Sequence, residues 1–329
     1  MTHSIRKVAF IGTGIMGAPI AGHLLDAGYA LTVYNRTPEK TDSLVERGAH
    51  RAASAAEAAR DADVVFTMLG YPTDVEDVYL ATDGLIRVAK RGAWLIDLTT
   101  SSPQLARDIH DAAEAWDKHA FDCPVTGGQQ GAKLGTLTLI AGILEKDAEP
   151  VRPLLDTFSS KIFWFEQAGA GQIAKLCNQV SLAASLTGAA EMLALAEQAG
   201  LSPQLVAQMV GEGMGGSAQL SRVAPLALEG DWRPGFLAEH LRKDLALALE
   251  AADDLQLTLP VTETSFNLVD MLCRVGGSRK GTQALALLYT DEPTSTAAGL
   301  DWSLADGDQQ DEIPPSPARQ RYFTGTKDL

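Results

Sequence analysis

A lysine followed three and four residues later by two carboxamides, Lys175, Asn178 and Gln179, interrupts an otherwise apolar stretch, residues 169–200. On a helix those spacings put all three polar groups on one face. An ammonium placed there stabilises negative charge developing on a substrate oxygen and exchanges a proton with it, while a neighbouring amide orients the substrate. A plainer reading stands beside it: a long cationic side chain also lies along apolar surface with local amides satisfied. Two further groups of residues are suited to holding anions. Gly12, Gly14 and Gly17 form a GxGxxG run, with Ile15 and Met16 inside it. Thr126, Gly127 and Gly128 combine a hydroxyl donor with consecutive glycines whose amides can converge on a carboxylate, although such a run can equally be a flexible loop.

These groups need elements to hold them. Residues 8–11 are a short apolar run that leads into the glycines, and a helical pattern follows as far as Leu25. In that context the glycines serve tight turning, close approach to a pyrophosphate and close packing of helix on strand, with free helix amides facing the phosphates. Alternation continues through a strand at 30–34, a strand in DADVVFTML and another in GAWLIDLTT. Ligands of such sheets sit beyond the strand C-termini, which directs Met68, Leu69, Thr99 and Thr100 toward a dinucleotide. Capping of a helix that begins near Pro103 is an equally good role for the two threonines. FDCPVTGGQQGAKLGTLTLIAG reads as strand, turn, strand, and 161–165 as a last strand. Gly169 then opens a helix over 172–198, free of proline, that would run roughly 40 Å at 1.5 Å per residue. The expected organisation is residues 1–165 for the dinucleotide domain, 166–290 for an all-helical domain, and 291–329 as a polar, proline-containing tail, loosely ordered or wrapped on a partner.

The strand at 30–34 ends in Asn35, Arg36 and Thr37, where a dinucleotide fold reads the ribose. A carboxylate there would bind the 2′-hydroxyl of NAD. Arg36 instead suits a 2′-phosphate, with Asn35 and Thr37 as supporting donors, so the expected cofactor is NADP, with NADPH preferred over NADH. A solvated surface arginine is the alternative.

A net charge of −15 argues against nucleic acid or an anionic membrane as partner. Cys123, Cys177 and Cys273 form no CxxC and read as reduced, mostly buried thiols of a cytoplasmic protein. By this reading no apolar run approaches the roughly 18 residues of a membrane span, and neither secretion nor an anchor is expected. The six histidines show no metal-ligand spacing. Met214, Trp232 and Phe236 are expected to pack in a core.

Taken together, IGTGIMG, DLTTSSP, DCPVTGG, GAGQIAKLCNQ and FLAEHLRKDLALA resemble, in that order, the motifs of the β-hydroxyacid dehydrogenase family, over about residues 7–290. The resemblance implies an N-terminal Rossmann doubly wound sheet joined through a long helix to an all-α domain, assembled as a homodimer or homotetramer. It implies that Lys175 is the general acid/base, Asn178 its neighbour on the substrate, Thr126, Gly127 and Gly128 the carboxylate site, and Lys243 a cofactor contact beside Asp244. On the residues alone a surface ion pair is the ordinary reading of Lys243 and Asp244. The implied reaction is hydride transfer between NADP(H) and a small semialdehyde or β-hydroxy acid. Thr126 stands where the family commonly has serine, and Ala218 where relatives often carry a large aromatic. The alternatives are an NADPH-dependent imine reductase, a class that typically lacks this lysine, and a non-catalytic NADP-binding scaffold.

Overall fold

The computed structural model describes residues 5–305 and divides into two compact units, one ending at Lys175 and one beginning at Leu176. In the first, six parallel strands form one sheet: β1 Lys7–Ile11, β2 Ala30–Tyr34, β3 His50–Arg51, β4 Val64–Thr67, β5 Trp94–Asp97 and β6 His119–Asp122, in the order β3-β2-β1-β4-β5-β6. The order reverses between β1 and β4, and that switch point is where such sheets bind their ligands. Near-continuous apolar runs build the central strands because both faces are covered. Phe10, Phe66 and Ile96 pack with Leu24 and Phe158 in one core, and Ala9, Val65 and Leu95 with Tyr79 and Ile109 in another.

Beyond Asp122 the chain enters a second sheet. β7 Val125–Thr126 runs antiparallel to β8 Leu137–Ala141, which pairs in parallel with β9 Ser159–Trp164. A helix at Gly128–Leu134 separates β7 from β8, where the sequence suggested only a turn. Ser102 caps the helix Pro103–Ala115 through the Leu105 N–H, so neither Thr99 nor Thr100 is needed for that purpose.

The long helix is Ala170–Gln198. In the second unit its Ala183, Leu186, Ala190 and Leu193 share a core with Leu241 and Leu245 of the helix Ala238–Asp254 and with Phe266 and Val269 of Pro260–Leu272. Ser202 and Ser217 cap the intervening helices Pro203–Glu212 and Ala218–Leu228. Contrary to expectation, the long helix does contain an 18-residue window with the length and composition of a membrane span. Its buried polar residues Gln172 and Gln179 are hydrogen-bonded, and its apolar residues line a core, as in the core helix of a globular protein.

Two other expectations need correction. The segment after residue 290 is not a loose tail as far as Ala305: Glu292–Ala297 is a helix capped by Asp291, and Leu300 is buried in the helical core. Lys280 Nζ donates to the Ala298 carbonyl at 2.6 Å, and Asp301 N–H to that of Val275 at 2.8 Å. The remainder of the proposed tail, 306–329, lies outside the described residues. Met214 is fully exposed, whereas Trp232 and Phe236 pack against the core as expected. The thiols are mostly buried as expected, Cys123 and Cys273 inside and Cys177 exposed. Truncating Leu300 to Ala should cost about 3 kcal/mol of stability in urea denaturation, the scale of a buried leucine deletion. A loss below about 0.5 kcal/mol, the range of surface substitutions, would mean that this segment is not part of the core.

Candidate active site

At the C-terminal ends of the sheet the three glycines separate into three roles. Gly12 has φ +96°, and a Cβ there would collide with the Met68 carbonyl; a Cβ on Gly17 would collide with the carbonyl of Gly12. Gly14 would meet nothing within 4 Å. The first and third glycines therefore serve the protein's own packing, and the second leaves an open approach of the kind a pyrophosphate requires. Next to this loop, Thr13 N–H donates to Asn35 Oδ1 at 3.0 Å, while Asn35 Nδ2 donates to the Thr37 carbonyl at 3.0 Å. Asn35 thus ties two loops together rather than standing only as a ligand donor. Arg36 is 79% exposed and bonds Asp74 through one terminal nitrogen at 2.8 Å. These residues fit the ribose and phosphates of a dinucleotide.

The same rim continues across the sheet. Met68 N–H donates to the Ile11 carbonyl, and Leu69 N–H to Thr99 Oγ1 at 2.9 Å. Thr100 is half-buried beside it. Below the rim, Asp97 Oδ1 accepts from Thr67 Oγ1 at 2.7 Å and from Thr99 N–H at 3.1 Å, and Thr67 Oγ1 also meets Tyr79 Oη at 2.9 Å. Burial pushes the Asp97 carboxyl up to about 6, against the pull of its bonds to Thr99 and Thr67.

Asp97 and Asp122 face each other in register at the ends of β5 and β6. Asp122 accepts Gly169 N–H on Oδ1 at 2.8 Å and Gln172 N–H on Oδ2 at 2.7 Å. Gln172 then spans the β5 loop, accepting Ser101 N–H at 2.9 Å and donating to the Thr99 carbonyl at 2.8 Å. One turn on, Lys175 is only 7% exposed. From Asp122 the chain also reaches Thr126, half-buried on β7, then Gly127 with φ +126° and Gly128 with φ +63°, a pair of left-handed conformations that glycine adopts without strain. Asp97, Asp122 and Gln172 were missed in the sequence. The available signal was a carboxylate closing each of two buried strand runs, WLID and HAFD.

Within the second unit, Asn178 Nδ2 donates to Gln179 Oε1 at 2.7 Å and Gln179 Nε2 to Asp244 Oδ2 at 2.7 Å. Lys243 Nζ lies 3.0 Å from Asp244 Oδ1. Lys243 and Asp244 are buried, so the surface ion pair of the sequence reading is not what the fold builds.

Two family models match consecutive stretches of the chain: the NAD binding domain of 6-phosphogluconate dehydrogenase over residues 7–166, and the NAD-binding domain of NADP-dependent 3-hydroxyisobutyrate dehydrogenase over 169–289. The chain belongs to the 3-hydroxyisobutyrate dehydrogenase family. The oxidoreductase YkwC of Bacillus subtilis is 39% identical over 86% of this chain and 99% of its own. An NAD-dependent L-serine dehydrogenase of Pseudomonas aeruginosa is 36% identical over 88% and 99%. A Mycobacterium tuberculosis 3-hydroxyisobutyrate dehydrogenase, solved with L-serine, superposes with a TM-score of 0.80 at 30% identity, over 87% of this chain and 100% of that one. A Myxococcus stipitatus imine reductase, at 18% identity and TM-score 0.58, shares the fold alone. As a 3-hydroxyisobutyrate dehydrogenase family member, the chain is an NAD(P)-dependent β-hydroxyacid dehydrogenase-like oxidoreductase, from a family whose substrates are small hydroxy acids.

Asp97 makes a pH prediction. Its folded-state proton is held more tightly than in the unfolded chain, so stability falls as pH rises from about 4 to about 6 and stays lower above that. Asp97→Asn keeps an oxygen for both bonds to Oδ1 and removes the buried charge. It should flatten that slope and stabilise the protein at pH 7.5 by about 3 kcal/mol, read from urea midpoints at pH 4.5 and 7.5. An unchanged slope would show that Asp97 titrates as an ordinary carboxylate.

Proposed function

We propose that this chain interconverts a small β-hydroxy acid and its semialdehyde using NADP(H), with Lys175 as the proton donor and acceptor. The observation that carries the proposal is the burial of Lys175 one turn beyond Gln172, whose side chain is bonded to the β5 loop on the ligand side of the sheet. A bound nicotinamide supplies or accepts the hydride. The ammonium of Lys175 stabilises charge on the substrate oxygen and protonates it in reduction; as the neutral amine it takes that proton in oxidation. Thr126, Gly127 and Gly128 hold the carboxylate through the hydroxyl and backbone amides, and Asn178 orients the hydroxyl carbon. Gly12, Gly14, Ile15, Met16 and Gly17 hold the pyrophosphate, Met68, Leu69 and Thr100 flank the dinucleotide, and Lys243 contacts it.

L-serine and 3-hydroxyisobutyrate are the first substrates to try, because a relative is named for each and a solved 3-hydroxyisobutyrate dehydrogenase holds L-serine. NADP preference is assigned to Arg36 at the end of β2, whose guanidinium keeps further donors beyond the one bonded to Asp74. A homodimer or homotetramer is also proposed: on the long helix Cys177, Ser181, Gly188, Glu191 and Leu195 form one exposed face suited to a second copy. Light scattering that reports a monomer at micromolar concentration would remove that part.

The deciding assay is oxidation of L-serine and 3-hydroxyisobutyrate, and reduction of small semialdehydes and cyclic imines, with both cofactors. Lys175→Ala should lower kcat by about a hundredfold or more, the scale of a lost general acid/base, while NADPH still binds. Turnover at the parent rate would eliminate the mechanism, and activity confined to imines would favour an imine reductase. For Arg36→Ala, KM for NADPH should rise about tenfold with KM for NADH little changed, corresponding to about 1.4 kcal/mol. An equal rise for both cofactors would refute the assignment.

A further inference from the structure

We propose that Asp122 is a positioning residue that sets where Lys175 stands relative to the Thr126–Gly128 carboxylate site, by anchoring the first turn of the long helix to the end of β6. The inference rests on the reading of Lys175 as the acid/base.

A buried helix start presents several N–H groups without intrahelical partners. Here the Asp122 carboxylate takes two of them, Gly169 on one oxygen and Gln172 on the other. Two amides three residues apart, held by two oxygens of one rigid group, fix rotation about the helix axis as well as position along it. The Gln172 side chain adds two bonds to the β5 loop, at Ser101 and Thr99. Lys175 follows Gln172 by three residues, a rise of about 4.5 Å, so little slack remains between the anchor and the lysine Cα. In the other direction Asp122 precedes Thr126 by four residues, with Pro124 between them. One carboxylate therefore references both the acid/base and the carboxylate site to a single strand end.

The surroundings are shaped around this group. Asp122 is buried, and a Cβ on either Gly142 or Gly171 would run into its oxygens. Removal from water raises the Asp122 carboxyl from its ordinary range, opposed by the two helix amides. A satisfied loop could have been built without burying a carboxylate, which points to a demand for geometry rather than for stability.

Asp122→Asn tests the idea, since it exchanges one acceptor oxygen for an amide that faces an N–H donor. Gln172→Met, which removes the side-chain anchor and keeps Asp122, is the second variant if the first fails to fold. The assays are oxidation of whichever of L-serine and 3-hydroxyisobutyrate turns over faster, the pH profile of kcat, NADPH affinity by fluorescence, and amide exchange of the unliganded protein. We expect Asp122→Asn to lower kcat about tenfold or more and shift its pH midpoint, with NADPH affinity within about twofold. Exchange over residues 169–175 should accelerate about tenfold while residues 94–97 are unaffected. In a Lys175→Arg background the same change should add less than about twofold, because it acts through the lysine. The inference is overturned by kcat within twofold of the parent in both variants, or by a full repeat of the loss in the Lys175→Arg background. Failure of the underlying reading shows separately, as an active Lys175→Ala enzyme.

Discussion

The ends of a buried helix are where backbone polarity has to be settled, and in this protein one carboxylate settles it. The Ala170–Gln198 helix starts inside the first unit, and its leading amides meet Asp122 instead of water. Bonds from N–H groups to an ionised carboxylate are roughly twice as strong as neutral ones, and a negative group at a helix N-terminus gains about 0.3–2 kcal/mol from the helix dipole. Against this stands the burial of the carboxylate, which raises its proton affinity. Residues on two segments are constrained by this arrangement: Gly142 after β8 and Gly171 in the helix leave room for the oxygens, and Gln172 completes the attachment to the loop after β5.

A second constraint runs along the strand ends. Asn35, Thr13, Met68, Leu69 and Thr99 bond one loop to the next, so the rim on which a dinucleotide would lie is a connected ledge rather than four independent loops. Beneath it Asp97 holds Thr67 and Thr99. These buried bonds tie the ledge to the strand ends beneath it.

Much of this was legible in the residue order. The central parallel strands announced themselves as short apolar runs, though the exposed pair His50–Arg51 of β3 did not; the glycine spacing marked the first turn, and the apolar content of residues 172–198 marked the long helix. Local signals sufficed because each depends on neighbours a few residues apart. What escaped was non-local. Asp122 meets Gly169 across 47 residues and Gln172 meets Thr99 across 73, and nothing in either neighbourhood records the partner. Residues 291–305 were misread because their polar surface hides single anchors such as Leu300, too sparse to form a period. Met214 failed for the opposite reason: an apolar side chain carries no obligation to be buried. Spacing alone put Lys175 and Asn178 on one candidate face, while their roles and the candidacy of Lys243 came from motif resemblance; the fold shows that Asn178, Gln179, Asp244 and Lys243 share one polar network.

The order of these elements along the chain also bears on how the protein is made. Domains fold as units during synthesis, the N-terminal one first. Every strand of both sheets, with Asp122 among them, precedes Ala170, so the acceptor for the helix start leaves the ribosome before the helix does. Helix formation is limited by its first turn, which fixes several dihedrals for one hydrogen bond. In the native structure the Asp122 carboxylate at the end of β6 accepts two N–H groups of that turn. Among the described residues, the one segment with the length and composition of a membrane span thus follows in the chain the carboxylate that accepts its leading amides.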